Sequence, residues 1–113
     1  MEPTPPNGTY VIHGTGHCIT AVPAKDQPCF IAGILNFTPD MNVSGMAIMP
    51  NADGEVRGTW KIQGGTILIT MGVAGIEQLE IRAYFDPSGN YGTFARRHPT
   101  GRYLSGTMMR AAM

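Results

Sequence analysis

His13 and His17 are the residues of this chain best suited to chemistry, in the run His13-Gly14-Thr15-Gly16-His17. On a helix their four-residue spacing would bring both imidazoles to one metal ion. Here they read as part of one strand, sharing a face but standing roughly 13 Å apart at about 3.3 Å per residue. A single ion cannot bridge that span, so neither a metal site nor a cofactor is expected. His13 remains a candidate acid–base group if it lines a cavity. The plain alternative is a strand histidine bonded to a neighbour or to water. His98, in Arg97-His98-Pro99, falls in a turn. Asp26, Asp40, Asp53 and Asp86 sit in or beside turns, where aspartate caps its own backbone. Glu77 and Glu80 can project from an extended segment, on opposite faces of it, and Glu80 joins His13 as a catalytic candidate. No pair resembles a glycosidase couple. Nucleophile-elbow, Walker and Rossmann patterns are absent; Gly14-Thr15-Gly16 lacks the third glycine and a following helix.

Cys18 and Cys29 flank Pro23-Ala24-Lys25-Asp26-Gln27-Pro28, which reads as a loop between two strands. A turn centred near Pro23 and Ala24 would set the two thiols across from each other. They then form either a disulfide, in an oxidising compartment, or a pair of buried thiols acting as small hydrophobes. Without a second pair they make a poor zinc site. Eight methionines, among them Met41, Met46, Met49, Met71, Met108, Met109 and Met113, supply soft apolar surface for core filling or a subunit contact.

The elements that must position these residues follow from composition. In 113 residues there are 15 glycines and 9 prolines, nearly twice an average share. The longest stretch without either runs from Ile76 to Asp86, too short for helices to carry the fold. That segment also fits helical spacing at Ile76, Leu79, Ala83 and Tyr84, but its closeness to a preceding strand and its terminal hairpin turn favour a strand. At 42% hydrophobic the chain is too apolar for disorder, and no window is long enough to span a membrane as a helix. Eight acidic and eight basic residues balance, which argues against a nucleic-acid partner, although half of the basic ones fall between Arg96 and Arg110. Met1 to Asn7 lacks the basic and apolar regions of a signal peptide, so a cytoplasmic location is the default expectation. Residues 1–8 read as a proline-rich arm, extended and free unless it docks on a neighbour, and 9–113 as one domain.

Eight strands are expected, at Thr9 to Ala21, Cys29 to Phe37, Asn42 to Met49, Glu55 to Ile62, Thr66 to Val73, Glu77 to Phe85, Tyr91 to Arg97 and Tyr103 to Arg110. Short turns between them dictate antiparallel neighbours in a meander. Four turns are each followed by a glycine inside the next strand, namely Gly45, Gly58, Gly92 and Gly106. Such glycines suit sharp coiling where a sheet bends to close, so the fold class is all-β, an antiparallel up-and-down barrel. Glu55 to Ile62 and Leu79 to Phe85 alternate apolar with polar. By contrast Phe30 to Leu35, Met46 to Met49 and Ile67 to Ile69 are apolar on both faces and need an outer cover. Without helices that cover is another copy of the chain, and a homo-oligomer is expected.

Gly58-Thr59-Trp60, followed by Gly64-Gly65-Thr66-Ile67-Leu68-Ile69, resembles the glycine–x–tryptophan strand of the calycin superfamily of lipocalins, fatty-acid-binding proteins and avidins. In that superfamily the motif lies on the first strand, whereas here it is mid-chain, and no binding residue carries over. The resemblance implies a barrel holding a small apolar ligand. Trp60, Met71, Tyr84, Phe85 and His13 are the lining candidates. Two alternatives stand beside this reading. One is an isomerase or cyclase acting on an apolar substrate in the same cavity, with His13 or Glu80 polarising it. The other is a solid barrel serving as a structural or protein-interaction module. A barrel of eight strands is compatible with either a filled or a ligand-sized interior.

Overall fold

The computed structural model describes residues 3–19, 26–50, 52–75, 77–97 and 103–111, with backbone alone at 18–19, 26–27, 77, 97 and 103. His98, residues 20–25 and 98–102, which read as turns in the sequence, and the side chains of Cys18, Asp26 and Glu77 lie outside the described residues. Eight strands run in chain order: β1 (Gly8–Ile19), β2 (Asp26–Phe37), β3 (Asn42–Met49), β4 (Ala52–Gln63), β5 (Thr66–Val73), β6 (Glu77–Phe85), β7 (Tyr91–Arg97) and β8 (Tyr103–Arg110). Each pairs antiparallel with the next, and β8 returns to β1, giving a closed up-and-down barrel. Every strand therefore has a neighbour on both sides, although the first half of β2 and of β6 runs past the pairing with the following strand.

Three strands differ in their ends from the sequence reading: β1 is Gly8–Ile19 rather than Thr9 to Ala21, β4 is Ala52–Gln63 rather than Glu55 to Ile62, and β2 starts earlier. β2 begins at Asp26 and takes in Pro28, so the expected loop from Pro23 to Pro28 is shorter. Its first half runs beyond the pairing with β3, which covers only Ala32–Phe37, and there proline has no ladder to interrupt on that side. The β1–β2 register also places Cys29 opposite Gly16 and Cys18 opposite Gln27, two residues out of direct opposition. Cys29 is buried and its sulfur is disulfide-bonded.

Inward-facing positions alternate small and large across the strands. Phe94 of β7 pairs with Gly106 of β8, which pairs with Gly14 of β1, which pairs with Ile31 of β2. The Phe94 ring lies over this glycine track, its tip within 2.6 Å of where a Gly14 Cβ would stand. Gly92 pairs with Phe85 and Gly58 with Met71 in the same manner. Gly106 also marks the closest backbone approach of β8 to β1. A Cβ there would stand 2.0 Å from the His13 carbonyl oxygen and 2.4 Å from the Gly14 Cα.

The end where the chain enters is closed by aromatic rings and by the arm. Tyr10, Phe37 and Phe85 pack edge to face with centroids 5.5, 5.1 and 6.2 Å apart. The Tyr10 hydroxyl donates to the Gly89 carbonyl and accepts from Arg110, whose guanidinium also lies 5.5 Å above the Tyr10 ring. Pro3 and Pro6 are buried, and the Asn7 N–H donates to the Tyr10 hydroxyl at 3.3 Å, so the arm docks on its own barrel. Thr38 to Met41 turns tightly between β2 and β3, with the Met41 N–H on the Thr38 carbonyl at 3.1 Å. Hydrogen bonds from the Thr38 hydroxyl to Asp40, and from the Ser88 hydroxyl to Asp86 in the β6–β7 turn, hold both carboxyls below the usual range.

Two outcomes follow for urea denaturation. Gly106→Ala puts a methyl against fixed backbone and should lose about 3 kcal/mol, while Gly64→Ala, in open space at positive φ, should lose about 1 kcal/mol. Equal losses would contradict the close approach. Met41 holds a left-handed φ of 69° with half its surface exposed. Met41→Gly should therefore gain about 0.5–1 kcal/mol, and a loss would show that the Met41 side chain anchors the turn.

Candidate functional site

The nominated residues divide between the two faces of the barrel wall. Trp60, Met71 and Phe85 point inward and are buried. Gly58 and Trp60 stand in the later half of β4 rather than at its start. The Trp60 indole N–H donates to the Thr38 carbonyl at 3.0 Å, and its backbone N–H to the Met41 carbonyl at 3.0 Å, so the ring is locked to the β2–β3 turn. Met71 packs against the glycine gap at Gly58, and Phe85 against Gly92 and the aromatic cluster. Among the described residues no charged or strongly polar side chain is buried, so the interior these residues form offers no acid or base to a substrate.

His13, Tyr84 and Glu80 face outward and are exposed. This follows from strand periodicity: their neighbours in sequence, Ile12, Phe85, Leu79 and Ile81, occupy the core. His13 lies on β1 and Glu80 on β6, and no strand pairing joins them. Tyr84 pairs with Thr93, Thr93 with Thr107, and Thr107 with His13, so one outer row links Tyr84 to His13 across four strands. No group of three or more potential metal ligands occurs among the described residues.

The outer surface is sharply polarised. Parallel to the His13 row runs a second, Tyr91–Met109–Val11–Ile34–Met46, crossing β7, β8, β1, β2 and β3 with every member directly paired to the next. Ile48 adjoins it, Phe30 stands one row farther along β2 beyond Ala32, and all seven side chains are 40–58% exposed. Ala32, His13 and Thr107 fill the space between. The far side, on β4 to β6, carries Asp53, Glu55, Arg57, Lys61, Glu80 and Arg82, and a Glu55–Arg57 ion pair. There an open cleft of about 470 Å³ is lined by Glu55, Arg57, Gly72, Ala74, Gly75 and Gln78.

Leu68 refines the expectation of an outer cover. It faces outward on β5 yet is only 7% exposed, between Lys61 and Arg82 in the strand register. The long aliphatic stems of those two residues suit them to cover it, so this apolar run needs no second chain. Among the described residues Phe30, Ile34, Met46 and Ile48 pair with no lysine or arginine. Val11, Tyr91 and Met109 belong to the same face, although each is the single large apolar residue on the outer face of its strand among the described residues. Only the strand order brings them together.

The interior packing predicts how Trp60, the single tryptophan, responds to ligands. With the Trp60 ring buried and its indole N–H held by the Thr38 carbonyl, titration with a long-chain fatty acid should leave its emission unchanged. A saturable shift or quench would put a ligand among these side chains. No family model matches the chain, and neither a curated protein nor a solved structure does, so the likeness of Gly58-Thr59-Trp60 to the calycin strand remains a resemblance of those residues alone.

Proposed function

We propose that this chain is a solid-barrel interaction module that works by self-association, a second copy covering the outer face of β7, β8, β1, β2 and β3. One observation carries the reading: the unbroken row Tyr91–Met109–Val11–Ile34–Met46, half exposed and without a charge. Over the row itself every strand is paired on both sides, so association there uses side-chain faces rather than a strand edge. The exposed apolar area of this face is on the order of 600 Å², at the upper end of what monomers leave bare and near the roughly 800 Å² each partner contributes to a standard interface. Zero net charge means that two copies do not repel, and an uncharged apolar row is complementary to itself. The far side is charged, which leaves the assembly a soluble exterior.

The ligand-binding and isomerase readings both need interior space and, for catalysis, a polar group within it. Trp60, Met71, Phe85 and Phe94 are buried in the described interior with no charged side chain among the buried residues, and His13 and Glu80 stand outside it. Those facts weigh toward the module.

Sedimentation velocity at micromolar concentration tests the proposal. The native chain should run as a discrete oligomer. Ile34→Glu should run as a folded monomer, whereas Thr59→Glu on the far side should stay oligomeric. A native monomer, or an oligomer that Ile34→Glu leaves intact, would overturn it; the former would leave the face to a different partner.

A further inference from the structure

We infer that His13 makes this self-association pH-dependent, holding copies together when its imidazole is neutral and releasing them when it is charged. The inference rests on the self-association reading above. His13 stands on β1, the central strand of the face, in the row directly beside the apolar one. Its direct partners across the strands are Ala32 on β2 and Thr107 on β8, and beyond these stand Ile48 on β3 and Thr93 on β7. Val11 and Thr15 flank it along β1. A copy laid over the Tyr91–Met46 row also lies over His13, one residue pair away.

The groups facing His13 give a proton there no counter-charge. On β2 the outward described residues are Phe30, Ala32, Ile34 and Asn36, and on β8 they are Ser105, Thr107 and Met109, none of which is charged. On β7 the only titratable outward group with a described side chain is the Tyr91 phenol. His17 lies four residues along β1, roughly 13 Å away at strand spacing. Arg110 is drawn over the Tyr10 ring at the end of the barrel. The nearest carboxylates, Asp53 and Glu55, lie on β4 beyond Ile48 and Met46. Burying a charged imidazole in such surroundings is strongly disfavoured, whereas a neutral one is tolerated.

The sign follows from linkage. A histidine in water changes charge near pH 6.5, and desolvation lowers that value in the assembly. Association is therefore complete above the free-chain value and weakens as pH falls below it. Between pH 7.5 and 5.5 the loss is on the order of tenfold for each His13 buried, or roughly a hundredfold for a twofold dimer. The barrel itself tolerates this range. Asp40 and Asp86, whose carboxyls are held below the ordinary value by Thr38 and Ser88, stay ionised at pH 5.5.

The test is sedimentation velocity of the full chain and of His13→Gln at pH 7.5 and 5.5, with circular dichroism reporting the fold at each pH. For the native chain the dissociation constant should rise by at least tenfold at pH 5.5 with an unchanged spectrum, while His13→Gln, which carries no charge at either pH, should show equal constants at both. A native oligomer equally tight at both pH values overturns the inference and leaves self-association standing. So does tighter association at pH 5.5, which would mean that Asp53 or Glu55 of the second copy receives the proton's charge. A His13→Gln protein as pH-sensitive as the native one places the switch elsewhere. A native monomer at both pH values removes the self-association reading, and this inference with it.

Discussion

At Gly106 the backbones of β8 and β1 come so close that no side-chain atom fits between them. This contact joins the last strand to the first, and the closure of the barrel depends on it. On the next strand the space that Gly14 leaves is taken by the ring of Phe94, the direct partner of Gly106. The same exchange recurs where Phe85 covers Gly92 and Met71 covers Gly58. A tightly coiled eight-stranded sheet encloses little volume, and a bulky residue on every inward position would not fit. Glycine on one strand opposite a large residue on its neighbour satisfies both demands: the sheet bends and the interior fills.

Trp60, Phe85, Phe94 and Met71 are buried at the centre of the barrel, and its polar and exposed apolar groups stand on the outer wall. That wall is divided, with one side bearing ions and the other bearing Val11, Ile34, Met46 and Met109. The division is a property of strand order. Of the strands on the apolar side, only β2 and β3 are visibly apolar on both faces; β1, β7 and β8 each contribute a single large apolar residue.

Much of the fold was legible because turn chemistry is local. Pro39-Asp40, Gly64-Gly65 and Pro87-Ser88-Gly89 each mark a reversal with their own residues, and five of the eight strands have the expected ends. What was not legible depends on distant partners. Pro28 reads as a loop residue, but it sits in a strand whose pairing with β3 ends at Ala32. The relation of Cys18 to Cys29 turned on a hairpin register, which no single residue in that turn specifies. Tyr84 and His13 were nominated for an interior they do not face. A strand that alternates can be read either way round until its neighbours' apolar sets fix which side is the core, and in β1 the dry side is Tyr10 and Ile12. The need for a cover over Leu68 was visible, but not that Lys61 and Arg82, drawn alongside by register, are placed to supply it.

The clasp made by Tyr10, Gly89 and Arg110 brings the two described chain ends to the same pole. The Ala111 N–H donates to the Thr9 carbonyl at 2.8 Å, and the Arg110 N–H to the Asn90 carbonyl at 2.8 Å. Strand order around the ring is thus cyclic, and where the chain is cut is incidental to it. A short linker could join the ends, with new termini opened at the exposed Gly64-Gly65 turn of that same pole, and every strand pairing would be kept. Segments fused at either end would likewise hang from one pole of the barrel, clear of its sides.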